Sequence, residues 1–195
     1  MILAIVLLNL IFRQLNDDKL KCYIYGIVTW TLYCYSMTEI LSGFNQLNRK
    51  MLIGGWIFFD LVLAGILVIN YKGQIARIKA GDRISKIIKE RWRYVIIVLF
   101  VFGMFWTALK MIPYNWDSMT YHCARLFHWK QNQSIAHYTT SITRQISSPV
   151  LAALVNVNVY IILGSGKGIL NLLQCVSYLT NGVMVYGIAS KLKVS

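Results

Sequence analysis

Charged residues are scarce in this chain and acidic ones scarcest, with seven Asp and Glu against 20 Lys and Arg and only 14% of residues charged. With 57% of residues apolar and a mean hydropathy of +0.54, that scarcity excludes an ordinary soluble domain. Proline occurs only at Pro113 and Pro149. The four cysteines (Cys22, Cys34, Cys123, Cys175) show neither paired nor metal-ligand spacing, so no disulfide framework is expected. Three lie in or beside apolar blocks, as small soft hydrophobes do. The N-terminal stretch Met1–Phe12 lacks a basic leader and a small-residue cleavage site. It reads as a shortened first membrane helix rather than a signal peptide. There is no Gly-rich nucleotide loop, internal repeat or low-complexity segment.

What is present is apolar sequence in blocks of about the 20 residues a membrane span needs. After Met1–Phe12 and a polar connector Arg13–Lys21, a span covers Cys22–Phe44 with Glu39 near its far end. A connector with Arg49 and Lys50 leads to a span over Met51–Tyr71, which holds Asp60 in mid-helix. Further spans cover Tyr94–Ile112, ending in the snorkelling Lys110, and Gly168–Ser190. The fold class expected is therefore all-α, a polytopic transmembrane helical bundle.

The net charge of +13 does not point to nucleic acid. Eight basic residues (Lys72, Arg77, Lys79, Arg83, Lys86, Lys89, Arg91, Arg93) crowd between two apolar blocks, against only Asp82 and Glu90. A basic run there marks a cytoplasmic loop and can touch anionic lipid headgroups. Ile75, Ile78, Ile84, Ile87 and Ile88 share a helical face, so the stretch predicts an amphipathic helix in the headgroup plane. With this cluster inside, the polar, aromatic-rich stretch Pro113–Ser148 lies outside. Pro149–Leu163 has 15 residues, short of the roughly 17 a span requires, and includes Asn156 and Asn158. It reads as a helix on the outer surface, which returns Lys191 and Lys193 to the inside.

The external loop carries the chemistry. Asp117 is its only acidic residue, just beyond the span. Helical spacing follows from Ser118, with Met119, His122, Leu126 and Trp129 on one face and Tyr121, Arg125 and His128 on another. Asp117 is then the helix N-cap, a general base, or both. His122, His128 and His137 are six and nine residues apart, unlike ligands one helical turn apart, so no metal site is expected. Arg125, Lys130 and Arg144 are candidates for anion recognition or for anchoring to lipid headgroups. Trp116, Trp129, Tyr114, Tyr121 and Tyr138 suit an interfacial aromatic belt and could stack on sugar rings.

The run Asn115-Trp116-Asp117-Ser118-Met119-Thr120-Tyr121-His122, followed by Arg125, His128-Trp129, His137-Tyr138, Arg144-Gln145 and Ser148-Pro149, resembles the first external loop of bacterial GT-C class membrane glycosyltransferases. That group includes the dolichyl-phosphate-mannose-type and aminoarabinose transferases. The likeness covers roughly Tyr94–Lys193, and the helices before it resemble extra helices of some members.

The resemblance implies Asp117 as catalytic base, with substrate contacts from Arg125, Arg144, Lys130, His122, His128 and Tyr121. It also implies a polyprenyl-phosphate-linked sugar as donor, a lipid, glycan or protein acceptor outside the cytoplasm, and no nucleotide sugar, cofactor or metal. The location implied is the bacterial plasma membrane. Two parts are expected. Residues 1–93 form membrane helices and the basic cytoplasmic helix. Residues 94–195 form the start of the GT-C-like module: span, catalytic loop 113–148, surface helix 149–163 and returning span 168–190. Family members carry more spans and usually a further external domain, so the chain corresponds to their front part. Two rival expectations are a transporter or flippase for a lipid-linked anion, in which Asp60 and Glu39 are the essential acids, and a non-catalytic membrane scaffold.

Overall fold

A computed structural model describes residues 1–16, 18–71, 92–164 and 169–192, and every described element is helical. The helices are α1 (Ile2–Leu15), α2 (Lys19–Gly43), α3 (Arg49–Tyr71), α4 (Trp92–Lys110), α5 (Cys123–Asn132), α6 (Arg144–Ser147), α7 (Leu151–Leu163) and α8 (Ile169–Lys191), with a π-turn over Ser118–His122. The amphipathic helix expected between Ile75 and Ile88 lies outside the described residues.

Two stretches, Arg49–Asn70 and Leu170–Lys191, are long and apolar enough to cross a membrane, while Ile2–Leu15, Val95–Lys110 and Leu151–Leu163 are shorter apolar helices. Both long stretches leave most of their side chains outside the core, and Val95 through Phe100 of α4 are all exposed. So much unburied apolar surface is costly in water and comfortable against hydrocarbon.

Local chemistry sets the helix ends. Asp18 caps α2, its carboxylate accepting the Leu20 and Lys21 N–H groups at 3.0 and 3.3 Å. Asn48 does the same for α3 through the Met51 N–H at 3.2 Å. Gln133, in the left-handed region at φ 51°, ends α5, and Gly164 at φ 87° ends α7.

Contacts sort the helix termini into two ends. At one, Asn171 near the start of α8 donates to the Met111 carbonyl just past α4 (2.7 Å), and the loop after α4 meets the α2–α3 connection. At the other, Lys191 of α8 pairs with Asp18 at the start of α2. α1 reaches only part of the way. Trp30, in mid-α2, donates to the Met1 carbonyl at 3.0 Å, and Asp60, in mid-α3, lies 3.8 Å from the Met1 amine.

One core runs through both parts of the chain. Trp30 stacks on Trp56 (5.5 Å between ring centres) and Tyr33 on Phe59 (3.8 Å), joining α2 to α3. Leu126, Trp129, Leu154 and Val157 complete it from α5 and α7. Within Pro149–Leu163, expected as a helix along the outer membrane surface, α7 packs into the core through Ala153, Leu154 and the run Val157–Ile161. The reason is Asn158, fully buried, whose Nδ2 donates to Thr38 Oγ1 of α2 (2.6 Å) and the Leu154 carbonyl, and whose Oδ1 accepts from Trp56 Nε1 of α3 (3.3 Å). Asn158, noted in the sequence as a polar residue in a stretch short for a span, is the polar fastener of three helices.

We expect Asn158→Ala to destabilise the bundle by about 1–3 kcal/mol, the cost of leaving a buried donor unpaired. Unfolding in mixed micelles measures this. In a Trp56→Phe background the same substitution costs less, because the donor is already gone.

Candidate functional site

The loop begins its helix at Asn115, whose Oδ1 accepts the Ser118 N–H at 2.7 Å. This corrects the expectation that Asp117 is the N-cap. Asp117 already has helical dihedrals (φ −65°, ψ −41°) and its side chain makes no capping bond, because it lies inside the first turn rather than before it. Its carboxylate is 56% exposed, and Oδ1 lies 3.9 Å from Nη1 of Arg144, itself 70% exposed. At that distance the pair is electrostatic without being a hydrogen bond, so both partners have positions free for a ligand.

The π-turn over Ser118–His122 then shifts the helical register. Met119 and His122, expected to share a face with Leu126 and Trp129, are exposed while Leu126 and Trp129 are buried. Arg125, expected on one face with Tyr121 and His128, is at 0% exposure.

Arg125 does not face outward to an anion. Its Nε donates to the Gln145 carbonyl (2.6 Å), Nη2 to that of Arg144 (3.0 Å) and Nη1 to that of Pro149 (3.4 Å). The guanidinium also lies 5.5 Å from the Trp129 ring. These carbonyls belong to α6 and the residues after it, so a cation at the end of that helix satisfies its orphan acceptors.

Gln145, buried, completes the clamp. Its Nε2 donates to the Thr120 carbonyl (2.7 Å), and its Oε1 accepts from the Tyr138 and Thr140 hydroxyls (3.0 and 2.9 Å). Together Arg125 and Gln145 tie the start, middle and end of the loop and set Arg144 opposite Asp117. Sequence reasoning gave Gln145 no role. Its signal was an amide among hydroxyl residues, able to donate and accept at once.

The other candidates are spread along the loop. Tyr121 and His122 adjoin Asp117, with rings 4.3 Å apart. Partial desolvation by neighbouring groups, then the Arg125 charge, lower the His122 pKa from its ordinary 6.5, and Asp117 opposes them. His128 stacks on Tyr138 at 4.1 Å, and Lys130 lies over the Tyr160 ring of α7 at 4.8 Å. His137 stands apart, beside Glu39 and Ser42 of α2. Glu39, expected as an intramembrane acid, is exposed in the same place.

No family model matches this chain, and neither a curated protein nor a solved structure does. The site is defined by its own geometry: an exposed carboxylate beside an exposed guanidinium, on a loop held from beneath by a buried one.

Two outcomes follow. Gln145→Leu strands a carbonyl and two hydroxyls, so limited proteolysis between Ser134 and Ser148 should accelerate well beyond what Tyr138→Phe, which removes one donor, produces. The His122 imidazole should titrate below 6.5, and lower still in Asp117→Asn. Because folding favours its neutral form, the loop retains this contribution above pH 6.5 and loses it as pH falls towards the lowered value.

Proposed function

We propose that this chain acts as a membrane glycosyltransferase that moves a sugar from a polyprenyl phosphate to an acceptor outside the cytoplasm, with Asp117 as general base. The observation that carries the reading is the exposed Asp117–Arg144 pair at 3.9 Å. It sets a proton acceptor next to a group suited to a leaving phosphate, as transfer from a lipid phosphate requires.

In this reading the chain sits in a bacterial plasma membrane as a polytopic bundle with the loop outside. Asp117 takes the proton of the acceptor hydroxyl as that oxygen bonds to the anomeric carbon. The bond from that carbon to the phosphate oxygen breaks, and the polyprenyl phosphate leaves with the electron pair, its charge met by Arg144. Arg125 is a positioning residue, since it acts through the main chain that carries Arg144. Tyr121 and His122 adjoin the reacting groups and would contact the sugar. Lys130 and His128 lie further along α5, against the Tyr160 and Tyr138 rings.

The test is replacement of the gene by its Asp117→Asn form, scoring envelope glycan by lectin blot alongside protein abundance in the membrane fraction. Loss of glycan by about 10²–10⁴-fold in transfer rate, at normal abundance, is the result expected for a missing general base. Undiminished glycan would end the proposal. Loss in Asp60→Asn but not in Asp117→Asn would instead favour a carrier for a lipid-linked anion.

A further inference from the structure

A second recess, separate from the Asp117–Arg144 pair, lies where the end of α2 meets the segment after α5. It holds about 550 Å³, within the roughly 300–1,000 Å³ of small-molecule sites. The polar atoms of its floor are already committed. The Ser42 and Ser134 hydroxyls bond to each other at 3.0 Å and take the N–H groups of Ile135 (2.8 Å) and Ala136 (3.3 Å). Trp129 and Leu154 add apolar wall.

Three other polar side chains line the recess: Glu39, Asn45 and His137. None of them has a hydrogen bond or ion pair to a side chain or main-chain group among the described residues. They are drawn from α2, the α2–α3 connection and the loop, so they meet only in the folded chain.

The donor and acceptor character of these groups selects the ligand. A carboxylate only accepts, whereas a carboxamide and an imidazole each carry an N–H donor. A phosphate would meet the Glu39 charge head-on. An ammonium would satisfy Glu39 and leave the Asn45 and His137 donors without use. A ring bearing neighbouring hydroxyls matches all three, and its C–H face matches the apolar wall.

We propose that this recess binds an uncharged glycan ring, held by Glu39, Asn45 and His137. The site is independent of transfer chemistry at Asp117: a transferase would use it for an acceptor, a scaffold for attachment to envelope glycan.

The test uses the full chain in lipid nanodiscs and saturation-transfer NMR with methyl α-D-glucopyranoside, ethanolamine and glycerol phosphate as separate probes. The glucoside should receive saturation, and neither charged probe should displace it. Glu39→Gln should weaken its binding by about tenfold, as loss of one hydrogen bond to a charged group implies.

Gly43→Phe should abolish binding by filling the recess. Gly43 lines it, and a β-carbon built there meets nothing within 4 Å, so the added ring enters open space. Asp117→Asn should leave binding unchanged, which separates this site from the transferase reading. No saturation of the glucoside, equal binding in Gly43→Phe, or displacement by either charged probe would overturn the proposal.

Discussion

Arg125 carries its charge with no exposed surface, and that is stable only because three main-chain carbonyls receive it. Those carbonyls come from residues 19 to 24 positions further along, so satisfying one side chain folds the loop back on itself. Everything exposed on the loop takes its place from that closure. Arg144 faces Asp117 because its own carbonyl is held from below. Gln145 then has a fixed carboxamide on which Thr120, Tyr138 and Thr140 converge. Removing the guanidinium would leave a set of buried acceptors unpaired, a larger change than the loss of one contact.

Below the loop a comparable economy governs the helices. Asn158 joins α2, α3 and α7 through one carboxamide, in surroundings that are otherwise apolar. Lys191 and Asp18 close the far end, where the carboxylate's pKa is lowered, first by its hydrogen bond to Lys191. Polar groups are few in this chain. Where they are buried, each tends to serve several partners.

The long helices were legible in the sequence because apolar length and bounding polar residues are local properties. Asp117 stood out for a similar reason, as a lone acid in a basic loop. Three features were not legible, each because it depends on structure that sequence spacing does not encode. A π-turn inserts an extra residue per turn, so uniform helical spacing put Met119 and His122 on a face with Leu126 and Trp129 that they do not share. The Asn115 cap competes with Asp117 two positions later, and both residue types are good caps. Asn158 in an apolar run has the same composition whether it faces headgroups or another helix. Only Thr38 and Trp56, more than a hundred positions away, decide between them. Glu39 was likewise read by its distance along a helix, although the partners lining its recess come from the loop.

Beside the buried Ser134 hydroxyl, two of the bonds that dock the loop onto the N-terminal helices are main-chain at the loop's side: Gln133 offers its carbonyl to the Leu47 N–H, and Ile135 its N–H to the Ser42 hydroxyl. Main-chain atoms are the same whatever residue bears them. The exposed positions of the loop can therefore change identity without shifting the frame that holds them. Placement and surface chemistry are separable here, and outward side chains can be exchanged on an unchanged mount.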